Sequence, residues 1–463
     1  MRRLAVLIAL LTSCASMHRS VGTSQSPATL WTPPANAIPD ATPQRAKDLV
    51  LPANFTPGMP ITLAQVVDIA LSNNTTTRIA WLEARAAEAA LGSRESAYLP
   101  EVDVNASITR SRGTAQGGRT AFQQTTYGPS LALTYLLFDF GGREAQVEQA
   151  RQGLIAANFV HNQSIQDVIL QTEQAYYSYL DARALLAAQD ATIKERKTSL
   201  DAADARHRAG VATVADVLQA RTALSQAQLT RETIEGNLRT IEGLLATTMG
   251  LPATARFDFG ELPLEVPARE VTEAVDALIA RAITERPDLA AVRANADRAR
   301  ARIREVRAQG LPTIGLAGST GVTWFGGGSS TKPYSASIAL RWPLFTGFRN
   351  TYDIREAELE AQVAREDIRA LEQRVNLQVW TSYFSLQTAT QRLTTARDLL
   401  NSAQQSAEVA TGRYRSGVGS ILDVLTAESA LENARAQEVQ ARTDWFLSVA
   451  QLAHDTGTLE RLK

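Results

Sequence analysis

Four segments of the chain alternate apolar and polar side chains at every second position. In the first, Val102, Val104 and Ile108 are separated by polar residues. A period of two is typical of β-strands with one apolar and one polar face. Aromatic residues near the segment ends favour a transmembrane β-barrel, although a soluble, half-buried antiparallel sheet fits the alternation equally well. We predict strands at about 101–110, 127–138, 313–324 and 334–345.

Two longer tracts carry apolar and small residues at spacings of three and four, which is a heptad seam. Neither tract contains proline, the strongest helix breaker. We predict uninterrupted helices at 143–208 and 349–415, each about 100 Å long at ~1.5 Å per residue. The seam residues are Val168, Thr172, Ala175, Tyr179, Ala182 and Leu186 in the first tract, and Val375, Val379, Ser382, Leu386, Ala389, Leu393, Ala396, Leu400 and Ala403 in the second.

The pattern at the end of each long helix predicts a turn and a returning helix. Gly210 and Gly417 suit the left-handed position that follows a helix C-terminus. Each glycine is followed by a hydroxyl residue and then, three residues later, by an acid, as in a capping box. These pairs are Thr213 with Asp216 and Ser420 with Asp423. We therefore predict return helices at 213–248 and 420–456.

The chain contains an internal two-fold repeat. The offset that aligns Gly210 with Gly417 also aligns Leu137 with Leu344. A period this long excludes a solenoid and indicates two equivalent halves of one structure. We divide the chain into a first repeat, 61–258, and a second repeat, 259–463, each with a helix, two strands, a long helix and a return helix.

Composition excludes several functional classes. The 463 residues carry a net charge of −1, and no basic surface is concentrated enough to predict nucleic-acid binding. The four histidines have no metal-ligand spacing, and the chain has no phosphate-binding loop. We therefore predict neither an enzyme nor a cofactor or metal site.

The N-terminus has the features of a secretory signal. Two arginines precede a short apolar run that is too short to span a bilayer. Residues 11–14 resemble the bacterial lipobox, in which Cys14 becomes the lipidated first residue after removal of residues 1–13. The alternative is an ordinary signal peptide that discards Cys14. Residues 14–60 are rich in proline, serine and threonine and predict an extended arm.

The number of strands predicts an oligomer. Four strands cannot close a barrel, and open sheet edges are not tolerated in lipid because unpaired backbone groups cost several kcal/mol each. Two chains supply eight strands, a barrel that side chains fill, whereas three supply twelve and leave a bore. We therefore predict a homotrimer with a continuous channel.

Over residues 61–457 the chain resembles the TolC family of outer-membrane efflux proteins. The resemblance rests on residues 413–418 and 422–425, on their weaker copy at 208–218, and on the repeated strand-to-helix turns 137–143 and 344–349. It implies an α+β membrane protein whose trimer forms a twelve-stranded transmembrane β-barrel, four strands per chain, continuous with a twelve-helix periplasmic α-barrel. The lipobox and the proline-rich arm suggest the lipoprotein branch of the family, anchored in the bacterial outer membrane.

The resemblance also implies a function without chemistry. Small toxic molecules pass from an inner-membrane pump, through a periplasmic adaptor docked on the helical tips, and out through the tunnel. The expected docking residues are Gly210, Val211, Ala212, Thr213, Gly417, Val418, Gly419 and Ser420. Acidic rings narrow the entrance in this family, and Asp423 matches one such position with Asp216 as its internal counterpart. Arg341, on the polar face of a strand, is a candidate pore-lining residue.

Three alternatives remain open from the sequence. Asp216 and Asp423 are explained by helix capping alone, without a role in the pore. A second alternative is a channel for type I polypeptide secretion instead of small-molecule efflux. In a different class, the chain would be a periplasmic coiled-coil adaptor or structural lipoprotein, which needs no strands facing the bilayer.

Overall fold

The computed structural model describes residues 60–115, 120–264, 266 and 274–459. The predicted signal peptide 1–13, Cys14 and nearly all of the arm 14–60 lie outside the described residues.

Eight α-helices occur in the described part of the chain, four in each half, together with a short 3-10 helix at Ser96–Tyr98. In the first half, α1 and α2 precede the strands, and the long helix α3 is followed by its return helix α4. In the second half, α5 to α8 appear in the same order around the second set of strands. The duplication itself stays an inference from the sequence. The bounds are α1 Leu63–Asn73, α2 Thr75–Glu95, α3 Gly142–Arg208, α4 Val214–Thr248, α5 Val275–Glu285, α6 Pro287–Gln309, α7 Arg349–Arg415 and α8 Ile421–Asp455.

The long helices are uninterrupted. Each has 67 residues, which corresponds to about 100 Å, and each return helix has 35. Helix α3 begins at Gly142, one residue before the predicted start, and α7 begins at Arg349, as predicted. Each return helix begins one residue after its predicted start, because Thr213 and Ser420 act as N-caps outside the helix.

One antiparallel sheet contains all the strands of the described residues, and its extent differs from our prediction. The first two strands are longer than predicted, and the third and fourth are each divided into two segments. The last segment ends before Pro343, four residues earlier than predicted. The bounds are β1 Glu101–Ala115, β2 Thr120–Phe138, β3 Thr313–Gly321, β4 Thr323–Phe325, β5 Ser330–Thr331 and β6 Tyr334–Arg341.

Prolines explain the divided strands. Segments β3 and β4 pair with β2 in one continuous register that is interrupted at Val322, opposite Pro129. The N–H of Val322 donates to the carbonyl of Pro129 at 3.0 Å, but proline has no N–H to return the bond. Segments β5 and β6 likewise share one register on either side of Pro333. The six segments therefore form four strands, in the order β1, β2, β3/β4, β5/β6.

The strand register collects the apolar side chains on one face of the sheet. Val104 lies opposite Leu131, Tyr135 opposite Leu316, and Leu316 opposite Ile338. Many of these side chains are exposed, among them Ile108 at 81% and Tyr334 at 85%. A contiguous exposed apolar face of this kind requires a covering partner or a lipid environment.

The helical seams are buried. Of the predicted seam residues, all are buried except Leu186 and Leu400, which are half-buried. Helix α3 contacts α1, α2, α4, α6 and α8, and α7 contacts α5, α6 and α8. Small seam residues allow these helices to approach closely. Among the described residues, no helix combines the length and apolar character needed to cross a membrane.

Candidate functional site

The two helical tips, defined as residues 206–216 and 413–423, have the same backbone geometry. Gly210 and Gly417 have φ values of 75° and 85°. The N–H of Val211 donates to the carbonyl of Arg206, and the N–H of Val418 donates to that of Arg413, both at 3.0 Å. These bonds complete Schellman motifs, which satisfy the last helical carbonyls. The predicted left-handed glycines are therefore confirmed.

Exposed apolar side chains project from both tips. Val211 is 64% exposed and Val418 is 69% exposed. The first residues of the return helices add Val214, Leu218 and Leu422, all more than half exposed. Exposed apolar groups clustered at the end of a helical pair are typical of a protein-binding surface. Of the three predicted docking glycines, Gly419 is the most tightly packed, since a Cβ there would lie 3.1 Å from the Cβ of Arg413.

Both predicted capping boxes are present. The N–H of Thr213 donates to Asp216 at 2.9 Å, and the N–H of Ser420 donates to Asp423 at 3.2 Å. In return, the hydroxyls of both cap residues accept from the backbone of the acids. The hydrogen bonds from the backbone and side chain of Ser420 lower the pKa of Asp423. Both carboxylates therefore cap helices and remain at the exposed tip.

The two tips are joined by a contact that the sequence did not predict. The guanidinium of Arg206 lies 4.7 Å from the ring centre of Tyr414 and donates to the carbonyl of Tyr414 at 2.6 Å. Tyr414 is buried with Ala203, Val217, Ile421 and Val424 in one apolar cluster. Arg206 therefore links the first hairpin to the second.

A buried polar cluster holds α3 against α8 above the tips. Arg196 donates to Glu428 at 3.0 Å and to Glu432 at 3.3 Å, and it also donates to the carbonyl of Leu425. Ser199 donates to the other oxygen of Glu428 at 2.5 Å. Burial raises the pKa of Glu428 in spite of these hydrogen bonds. We call Arg196, Ser199, Glu428 and Glu432 the α3–α8 clamp.

A sequence signal for the clamp exists, although our prediction missed it. The spacing of three and four residues continues beyond Leu186 through polar side chains. Gln189, Thr192, Arg196 and Ser199 occupy these positions, and all four are buried. A polar residue at a seam position is a candidate for a buried interhelical contact.

A second charged cluster fastens the C-terminal end of α8. The ring of His454 lies 2.9 Å from Asp167 and 3.1 Å from Asp455. Burial disfavours the charged ring, but the hydrogen bonds and charges of the two aspartates outweigh burial and raise the pKa of His454 to about 9. Arg286, which donates to the carbonyl of Asp455, also faces this cluster.

The stability contributed by His454 depends on pH. Because its folded pKa is raised from 6.5 to about 9, this contribution is fully present below pH 6.5 and is lost as the pH rises to 9. It amounts to at most about 3 kcal/mol, and less where solvent screens Asp167. We expect His454→Gln to remove the fall in melting temperature between pH 6.5 and 9. His161→Gln, on α3, should preserve it; equal pH profiles for both variants would contradict this assignment.

The polar face of the sheet carries the predicted pore residue. Arg341 is exposed at the end of β6, opposite Thr313. On the same face, the hydroxyls of Ser319 and Ser335 are hydrogen-bonded at 2.9 Å. Among the described residues, no group of three or more His, Cys, Asp or Glu side chains is arranged to hold a metal ion.

Relatives of known identity match most of the chain. Protein CyaE of Bordetella pertussis is 28% identical over 82% of this chain and 80% of its own length. Outer membrane protein TolC of Salmonella enteritidis is 26% identical over 86% of this chain and 82% of its own length. The outer-membrane channel OprN shares the fold, with a TM-score of 0.77 at 21% identity over 85% of this chain and 89% of OprN.

The family assignment rests on both halves of the chain. The model of the family described as outer membrane efflux protein matches residues 66–251 and 278–458, which include both tips and all four strands. The family consists of non-enzymatic channel proteins. The chain therefore belongs to the outer membrane efflux protein family.

Proposed function

We propose that the protein is the outer-membrane exit channel of a tripartite efflux system. It passes small toxic molecules from an inner-membrane pump and a periplasmic adaptor to the outside of the cell. The observation that carries this proposal is the four-stranded sheet, with one apolar face and two unpaired edges in the described chain, connected to two helices of about 100 Å. The strands span the outer membrane and the helices cross the periplasm.

The open edges of the sheet support a trimer. Strands β1 and β6 each have one partner among the described strands. In lipid such edges must be paired, and three copies close a twelve-stranded barrel wide enough for a bore. The same symmetry surrounds the periplasmic tunnel with twelve helices, four from each chain.

The tips are the docking surface for the adaptor in this proposal. Their exposed valines and leucines offer apolar contacts, and the glycines keep the backbone close to the surface. The residues involved are Gly210, Val211, Ala212, Thr213, Gly417, Val418, Gly419 and Ser420.

We infer that Asp423, and to a lesser extent Asp216, also border the periplasmic entrance. Both carboxylates are at the tip, where three chains would form acidic rings that favour cations. Asp423→Asn keeps an oxygen for the cap and removes the charge. We expect reduced cation preference in planar bilayers with helix content unchanged. Selectivity equal to that of the unmodified channel would leave Asp423 as a cap only.

The proposal includes a lipid anchor at Cys14, which the lipobox resemblance supports. Mass spectrometry of the mature N-terminal peptide tests it directly. We expect Cys14→Ser to block acylation but to leave most of the trimer in the outer membrane, since a barrel buries far more apolar surface than acyl chains do. Complete loss from that membrane would show that the lipid supplies the anchoring.

The function is tested by assembly and transport together. We expect a trimer by mass measurement in mild detergent, and a deletion strain that accumulates small toxic compounds until the gene is restored. A monomer with intact β-structure would contradict the barrel and favour a scaffold. A trimer whose loss blocks release of a polypeptide, while drug resistance is unchanged, would instead assign the channel to type I secretion.

A further inference from the structure

We propose that Arg341 of one copy forms ion pairs with Glu101 and Asp103 of the next copy across the seam of the barrel. This inference rests on the trimer proposed above. It assigns residues to the interface between β6 of one chain and β1 of its neighbour, and it gives Arg341 a role in assembly as well as in lining the pore.

The three charged side chains lie on the same face of the sheet. Glu101 and Asp103 are opposite Thr134 and Ala132 on β2, which places them on the polar face. The register continues from Thr134 through β3 to Ser337, so Arg341, four residues further along β6, shares that face. All three charges therefore point towards the lumen of a barrel whose apolar face contacts lipid.

The charges also lie at the same end of the sheet, near the long helices. Glu101 is the first residue of β1, and Arg341 is the last residue of β6, next to the start of α7. Strands β1 and β6 are three strand spacings apart in one chain, about 14 Å at ~4.8 Å each. In the described part of the chain, the side chains of Arg341, Glu101 and Asp103 make no hydrogen bond or ion pair. Their charges are available to a neighbouring copy.

Barrel geometry limits how two copies can align. The strands of such a barrel are tilted by about 35–45°, spaced by ~4.8 Å, and rise by ~3.4 Å per residue. For twelve strands, the residue register is therefore shifted by roughly 12–17 residues on going once around the barrel. Threefold symmetry divides this into about four to six residues per chain. Only even shifts keep polar side chains on the lumen side, because a shift of one residue reverses the faces. A shift of either four or six is therefore expected.

The stagger of the strand ends gives the direction of the shift. Glu101 begins β1 level with Ser337, whereas β2, β3 and β6 continue about four residues further towards the helices. The strand ends therefore lie progressively closer to the long helices from β1 to β6. Strand β1 of the next copy is expected to begin closer to the helices still. A shift of four places Arg341 opposite Glu101 of the neighbour, and a shift of six places it opposite Asp103.

Both shifts match apolar side chains across the seam on the outer face. On the outer face, Leu340 then lies opposite Val102 or Val104, and Ile338 lies opposite Val104 or Ala106. Opposed side chains have Cβ atoms about 4.5–5.5 Å apart, and diagonal neighbours remain within reach of a long side chain. Arg341 can therefore contact both acids with either shift. At the end of the seam near the helices no like charges oppose each other, so these three charges favour the correct register over a slipped one. At the other end of the strands the same two alignments bring Lys332 opposite Arg110 or Arg112, which is unfavourable.

Cysteine cross-linking of the full chain tests the seam. We expect mild oxidation to convert Arg341→Cys with Glu101→Cys, or Arg341→Cys with Asp103→Cys, into disulfide-linked dimers and trimers on non-reducing gels. The matched control is Arg341→Cys with Ser107→Cys. Ser107 lies on the same face of β1 as the two acids but at least four residues farther from the helices. Its Cα would therefore be farther from that of residue 341 than the ~7 Å limit for disulfides. Arg341→Cys alone controls for pairing through Cys14.

Charge exchange provides a second measurement. Arg341→Glu should lower the temperature at which the trimer dissociates in detergent, and adding Glu101→Arg and Asp103→Arg should restore it. Cross-linking at Ser107 equal to that at both acids, or no restoration by charge exchange, would overturn the seam while leaving a trimer intact. A native protein that is not a trimer would instead overturn the proposed function on which the seam rests.

Discussion

Gly417→Glu should abolish efflux while leaving the trimer folded. Gly417 has a φ of 85°, so a side chain there costs about 1 kcal/mol in backbone strain, which is small against the stability of an assembled barrel. No atom lies within 4 Å of the position that its Cβ would occupy, so the substitution causes no clash. The new carboxylate projects from the tip beside the negative end of α7, where the adaptor is expected to dock.

The measurement is drug susceptibility of a complemented deletion strain, with trimer content determined on the same membranes. Gly417→Ala reproduces the backbone strain without the charge and should retain most activity. Gly327→Glu is the matched control, because Gly327 also has open space around it but lies in the turn between β4 and β5. Normal resistance in the Gly417→Glu strain would exclude the second tip from docking.

Arg196→Met should destabilise the packing of α3 against α8 by about 3 kcal/mol or more. The side chains of Arg196 and Glu428 are only 5% and 6% exposed, so losing the arginine leaves a buried carboxylate without its countercharge. Glu432 loses a partner as well. The expected loss is smaller at low pH, because the raised pKa of Glu428 allows the acid to become neutral.

Amide hydrogen exchange in the middle of α3 and α8 measures this loss. Arg435→Met is the control: Arg435 donates twice to Glu195 at 2.8 Å, but the pair is 22% and 37% exposed and should contribute below about 1 kcal/mol. Adding Glu428→Leu to Arg196→Met should recover much of the loss, since an apolar pair avoids the buried charge. Equal protection of α3 in the two arginine variants would contradict the prediction.

The clamp and the Arg206–Tyr414 contact have a common consequence. Both join the first long helix to the second hairpin within one chain, the contact at the tips and the clamp above them. A movement of α8 away from α3, such as widening of the entrance, has to break the clamp. A movement of the whole second hairpin away from α3 also has to break the Arg206–Tyr414 contact. Arg196→Met is therefore also expected to increase the leak of small solutes through the channel.

Local patterns in the sequence determined the secondary structure of this protein. The period of two at Val102 and Val104, the seam from Val375, and the cap at Ser420 each arise from residues within a few positions of one another. Such signals need no tertiary information, because strand, helix and cap geometry relate neighbouring residues directly. The composition likewise predicted that the chain binds no nucleic acid.

Contacts between distant residues were decided only by the tertiary structure. The alternation pattern predicted the strands. It did not predict the interruption of the third strand at Val322, opposite Pro129, because the register that pairs these two residues is set by the whole sheet. Arg196 and Glu428 lie in different halves of the sequence; the seam spacing marks Arg196 as a candidate for burial, but nothing local identifies Glu428 as its partner. Both side chains are buried because α3 packs against α8. This packing places the polar part of the α3 seam, which includes Arg196, beside Glu428 and Glu432 of α8.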